Sequence, residues 1–149
     1  MRILATCFAS ITLAAVPALA GQAKFGAPNA AYQSECGSCH VAYPARLLSA
    51  ASWQALLAGL DKHFGTDAAV DAATMQEISA YLERSARAPR KGEGIPLRIT
   101  ETRWFVREHD EVPAATWRSP AVQSKSNCSA CHTRAEQGDF SEASLRVPR

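Results

Sequence analysis

The chain has 149 residues, with 16 basic and 14 acidic side chains, five cysteines, four histidines and a formal net charge of +2. Its 47% hydrophobic and 20% charged content excludes a disordered polyelectrolyte, and its length suits one domain or two small ones. A charge balance this even gives no electrostatic reason to expect nucleic acid as a partner.

Residues 1–20 have the form of an export signal peptide. Arg2 supplies a positive start, residues 3–16 are mostly apolar, and Ala18-Leu19-Ala20 is a small-x-small cleavage site ahead of Gly21. The apolar run is short for a membrane span and Pro17 interrupts it. A soluble product in a bacterial periplasm is therefore expected, with no stable membrane insertion. Cys7 leaves with the signal, and four cysteines remain in a mature chain of roughly 129 residues. A small exported domain with so modest a core usually needs a staple.

Residues 21–34 read as a loop of small residues. After Cys36-Gly37-Ser38-Cys39-His40 and Tyr43-Pro44, the sequence predicts a helix from Arg46 or Ser49 to His63. Trp53, Leu56, Leu57 and Leu60 recur at i, i+3, i+4 and i+7, and His63 and Phe64 extend that buried face. Gly65-Thr66-Asp67 ends it. Asp71 is placed to cap a second helix over 72–87, whose apolar face is Met75, Ile78, Tyr81 and Leu82. Pro89, Gly92, Gly94 and Pro96 mark a linker over 89–97, dividing an N-terminal half (21–88) from a C-terminal half (98–149). Arg84, Arg87, Arg90 and Lys91 cluster around it, either as a solvated face or to steer an acidic partner. A short helix is expected about Trp104 to Glu108, after which Pro113 and Pro120 break the chain. The tail beyond Cys128-Ser129-Ala130-Cys131-His132 reads as loop with a short turn. No stretch alternates as a strand does, so the fold class is mainly α with little or no sheet.

The scarce residues carry the chemistry. Cys36, Cys39 and His40, and again Cys128, Cys131 and His132, form two C-x-x-C-H motifs, the attachment signature of haem c. Two thiols three positions apart can bond both vinyl groups of one haem while the adjoining histidine ligates its iron. A Cys₄ zinc site, two disulfides and a thioredoxin-like redox pair are alternatives, but none accounts for a histidine following both motifs. Two covalently bound haems need two further axial ligands, and His63 and His109 are the histidines left. Phe105 lies four residues before His109 on the same helical face. Met75 sits at a helix-packing position and is not expected to bind iron. The two distal histidines each lie 23 residues from one motif histidine. Short loops close at lower entropic cost, which favours pairing His63 with His40 and His109 with His132 over the crossed arrangement.

Four imidazoles on two irons leave no vacancy for substrate and no histidine for acid–base work, which points to an electron carrier and not an enzyme. The alternative is a di-haem peroxidase or small-molecule reductase with one open iron. Tyr43, Trp53, Phe64, Trp104 and Phe105 are expected to pack around the haems and exclude water. Counting propionates and ferric centres, the loaded protein carries about −1 when oxidised and −3 when reduced.

Glu35 to His40, Tyr43-Pro44, Ser52-Trp53 and Leu60 to Gly65, together with Arg98-Ile99-Thr100, Trp104, Arg107 to Asp110 and Asn127 to Thr133, resemble the dihaem cytochrome c family. That family includes the periplasmic partner of the oxygen-binding mono-haem cytochrome called SHP. The resemblance implies a mainly helical fold in two haem-bearing halves with both irons bis-histidine. His40 and His132 would be the proximal ligands, His63 and His109 the distal ones. Redox proteins are the expected partners, with the family's SHP-type cytochrome and a membrane cytochrome b donor as candidates, and the chain is expected to be a monomer.

Overall fold

The computed structural model describes residues 29–148. The signal segment, Cys7 and residues 21–28 lie outside the described residues. Within them the chain forms five short α-helices joined by 3-10 turns, with isolated bridges and no strand, as the absence of alternating patterns predicts.

The first helix, α1 (Ala30–Cys36), corrects the expectation of a loop up to Ser34. The Asn29 side chain accepts a hydrogen bond from the Tyr32 amide at 2.8 Å and caps it. Seven residues would not hold a helix alone; what holds this one is Tyr32, which is 3% exposed. Its ring meets Trp53 edge-on at 6.2 Å and Tyr81 at 5.3 Å.

Helix α2 (Ala50–Leu57) begins where Ser49 accepts from the Ser52 amide, but it stops well short of His63. A 3-10 turn over Leu60–Lys62 leaves His63 in an extended conformation. Phe64 and Gly65 then take left-handed φ values of 49° and 98°, and the Thr66 amide donates back to the His63 carbonyl. The α2 face therefore ends at Leu57, and Leu60 and His63 lie beyond it in the turn that follows. Phe64 does not extend it: the ring is exposed, with the Arg98 guanidinium 3.9 Å above it.

Helix α3 (Ala72–Ser85) matches expectation to within two residues, with the Asp71 carboxylate accepting from the Ala73 and Thr74 amides. Hydrogen bonds from Thr74 hold that carboxyl below its ordinary range. Ile78, Tyr81 and Leu82 are buried and Met75 is half-buried. With Tyr32, Ala45, Leu48 and Trp53 they make one continuous core. The buried Trp53 indole donates to the Ala45 carbonyl at 2.7 Å, so its polar atom is satisfied.

The segment over 89–97 has no regular structure but is pinned. The Arg87 amide donates to Leu48 O, and the Arg87 guanidinium takes both carboxylate oxygens of Glu93 in a largely covered pair. Arg87 is therefore not free to steer a partner, which reduces the basic cluster to the exposed Arg84, Arg90 and Lys91.

Helix α4 (Arg103–Glu108) is capped by Thr102, whose hydroxyl accepts from the Phe105 amide and donates to the Ile99 carbonyl. Helix α5 (Ala114–Arg118) begins directly after Pro113. A proline was expected only to break the chain there; its missing N–H and fixed φ also suit a helix start. The tail does more than turn. Its strand-like return over 144–146 hydrogen-bonds to Thr133 and Cys131, and two 3-10 turns shape the path between.

Candidate functional site

The two C-x-x-C-H motifs sit in different local structure. Cys36 is the last residue of α1, and the Gly37 amide closes the helix on the Gln33 carbonyl. A Cβ at position 37 would collide with that carbonyl, so glycine is required by close approach. Cys128 opens a 3-10 turn, and the His132 amide donates to Cys128 O at 2.8 Å. Burial pushes the Cys36 and Cys128 thiols up to about 11, and raises Cys131 as well. This is the reverse of the lowered thiol pKa of a thioredoxin-like site. The four cysteines are unpaired, and no three His, Cys, Asp or Glu side chains converge on one metal-sized point among the described residues. The motifs therefore do not assemble a Cys₄ zinc shell.

The histidines converge in pairs. His63 faces His40 with ring centroids 6.2 Å apart, and His109 faces His132 at the same 6.2 Å. No hydrogen bond joins the rings of either pair. An imidazole nitrogen lies about 2.0 Å from a metal it ligates and roughly 1.1 Å from its own ring centre, so two imidazoles on opposite sides of one metal ion have centroids about 6.2 Å apart. Both pairs fit that spacing, in the uncrossed arrangement. The pairs differ in orientation, with ring planes at 26° for His40 and His63 and 76° for His109 and His132.

Hydrogen bonds orient two of the four rings. His40 Nδ1 lies 2.7 Å from Val41 O and His109 Nδ1 lies 2.9 Å from Phe105 O. Donation from Nδ1–H leaves Nε2 with its lone pair free for a metal and makes it a stronger donor. Phe105 also stacks on His109 at 4.1 Å. The His132 Nδ1 is buried without a hydrogen-bond partner; its ring is held by the motif turn and by Phe140 at 5.3 Å. Burial, then the paired histidine, lowers the pKa of both His63 and His132. Their neutral form, the one that ligates metals, is favoured.

One cavity of about 1240 Å³ joins these groups, above the roughly 300–1,000 Å³ of a single small-molecule pocket. Cys36, Cys39, His40, His63, His109, Cys128 and His132 line it, with apolar walls from Trp53, Leu57, Leu82, Ile99, Trp104, Phe105, Phe140 and Leu145. A pair of large planar apolar groups fits that lining. Met75 is not among the lining residues. Phe140, Leu145 and Trp117, which lies 5.9 Å from His109, were not foreseen as site residues. The signal was present as bulky apolar residues in an otherwise polar segment, but with no periodicity to assign them a face.

A small helical scaffold in which two C-x-x-C-H motifs each meet a second histidine across a shared apolar cavity is that of a c-type cytochrome with two haem sites. The family model for dihaem cytochrome c matches residues 32–140, and the chain belongs to the dihaem cytochrome c family. It is similar to a dihaem cytochrome c from Shewanella baltica OS155 at 44% identity and a TM-score of 0.71, over 80% of this chain and 93% of that one. It is also similar to a dihaem cytochrome c from Rhodobacter sphaeroides at 43% identity and a TM-score of 0.68, over 75% of this chain and 96% of that one. No match is found among curated proteins. As a member of this family the chain carries two covalently bound haem c groups and is a haem-based electron carrier. Among the described residues no helix is long and apolar enough to cross a membrane.

Proposed function

We propose that this is a periplasmic electron-relay protein in which Cys36 and Cys39 anchor one haem between His40 and His63, and Cys128 and Cys131 anchor the other between His132 and His109. The observation that carries this reading is the equal 6.2 Å separation of the two histidine pairs, the spacing of two imidazoles across one metal ion. When bound, each haem supplies a one-electron Fe(III)/Fe(II) couple. Two imidazoles, in place of imidazole and thioether, favour the ferric state and lower the potential. The Val41 and Phe105 carbonyls strengthen His40 and His109 as donors, and the apolar walls restrict water at the sites. His40 with His63, and His132 with His109, would hold the two irons, so these side chains would serve electron passage and leave no coordination site for peroxide or another substrate. Residues 1–20 supply the export signal, and the partners are other redox proteins, an oxygen-binding mono-haem cytochrome and a membrane cytochrome b among them. The 98–148 region and the 29–88 region are the two haem-bearing halves of a monomer.

Electron paramagnetic resonance of the oxidised protein is expected to show two low-spin bis-imidazole haems, and the reduced protein is expected not to bind carbon monoxide. His63→Ala should convert one signal to high spin and His109→Ala the other. A high-spin haem in the unmodified protein would instead favour the enzyme reading, and silent histidine variants would remove the ligand assignment.

A further inference from the structure

Tyr43 touches both sites. Its ring stacks on the His40 imidazole, with centroids 4.7 Å apart and planes at 17°. Its hydroxyl donates to the Ser126 carbonyl at 2.8 Å, across 83 residues of sequence. That same carbonyl accepts from the Cys128 amide at 3.0 Å, so it is part of the turn that presents the second motif. The Tyr43 carbonyl in turn accepts from the buried Tyr32 hydroxyl at 2.7 Å, which ties residue 43 to the α1–α3 core. Among the described residues, no other side-chain hydrogen bond joins the region before residue 89 to the region after 97.

We propose that Tyr43 is a positioning residue for both haem sites, its ring fixing the plane of His40 and its hydroxyl fixing the turn that carries Cys128. The inference rests on the ligand assignment above. It assigns the two functions to separable parts of one side chain. The stack sets the 26° angle between the His40 and His63 planes, because a ring pressed against a flat neighbour cannot rotate about its own long axis. The hydroxyl holds the second motif in register with the first, so a change at residue 43 is felt at a haem site anchored 85 residues later. The energies of the iron d orbitals depend on the mutual orientation of the two axial imidazole planes. Low-spin g values therefore report the first function directly. The near-parallel and near-perpendicular pairs should give distinguishable signals, assigned with the His63→Ala and His109→Ala variants.

The test uses the two-haem protein with Tyr43→Phe and Tyr43→Leu. Tyr43→Phe keeps the stack and loses the hydroxyl. Its N-terminal signal should be unchanged while the C-terminal signal shifts or broadens, and the Cys128 amide should exchange about fivefold faster, the equivalent of one lost hydrogen bond of ~1 kcal/mol. Tyr43→Leu should shift both signals. A C-terminal signal and Cys128 exchange rate unmoved by Tyr43→Phe, or an N-terminal signal unmoved by Tyr43→Leu, would overturn the proposal. If the unmodified protein lacks two low-spin signals, the ligand assignment falls and takes this inference with it; if it shows both, a silent Tyr43→Phe removes the inference alone.

Discussion

The N-terminal region, residues 29–88, and the C-terminal region, residues 98–148, bring their histidine pairs to the same separation by different physical means. In the first, α1, α2 and α3 bury Tyr32, Leu48, Trp53, Ile78, Tyr81 and Leu82 in one core, and the motif hangs from the end of a capped helix. In the second, the buried apolar side chains are Phe105, Val122 and Ala135. Order there comes from the short helices α4 and α5, 3-10 turns and local hydrogen bonds, such as Asn127 to Val122 O and Thr133 to Ser144 O. A region with so little apolar burial gains little from folding alone. On the proposed ligand assignment, a haem there would supply much of that region's core, whereas the N-terminal region has a protein core of its own.

The sharpest way to break this contrast is to remove each haem anchor in turn. Cys128→Ala with Cys131→Ala should abolish ordered structure over 98–148 while α1 to α3 stay protected, as read by hydrogen exchange and limited proteolysis. Cys36→Ala with Cys39→Ala should leave the α2–α3 packing folded. Equal protection of both regions in both variants would show that the C-terminal region does not lean on its haem.

A smaller effect is expected from the protein core. Tyr81 is 9% exposed and does not line the shared cavity, and Tyr81→Ala should cost ~3–5 kcal/mol in denaturant unfolding. The C-terminal haem signal of the folded protein should be unaltered. A shifted C-terminal signal would mean that the two regions share one packing unit.

The smallest effect concerns the junction. Hydrogen bonds from Arg87 hold the Glu93 carboxyl below its ordinary range. A lowered folded pKa stabilises in full above the unfolded value of about 4.3 and is lost as pH falls through the folded value. Glu93→Gln should therefore lower stability by ~0.5–1 kcal/mol at neutral pH and flatten that acid dependence. An unchanged pH profile would show that the pair does not fasten the junction.

How much of this was legible in the sequence differs by residue. The motif cysteines and histidines were readable because their spacing is local. The Asp71 cap and the α3 face were readable because helical periodicity repeats over four turns. Helix α1 was missed because Asn29 and Tyr32 act only once the ring finds Trp53 and Tyr81. The end of α2 was misplaced because the apolar spacing continues past Gly59, while the backbone reverses at Phe64 and Gly65 to bring His63 to His40. Arg87 looked like part of a basic surface because charge runs do not show which member meets a carboxylate.

By itself, then, the sequence determined the chemistry: four cysteines and four histidines in numbers and spacings that suit two haems, and a helical chain without strands. Those are properties of neighbours along the chain. Loop length already favoured the histidine pairing that the structure shows; the tertiary structure alone decided the 26° and 76° ring angles and the contact of Tyr43 with both sites. Each depends on packing between segments as much as 83 residues apart, where small differences in burial and turn geometry, not local pattern, set the outcome.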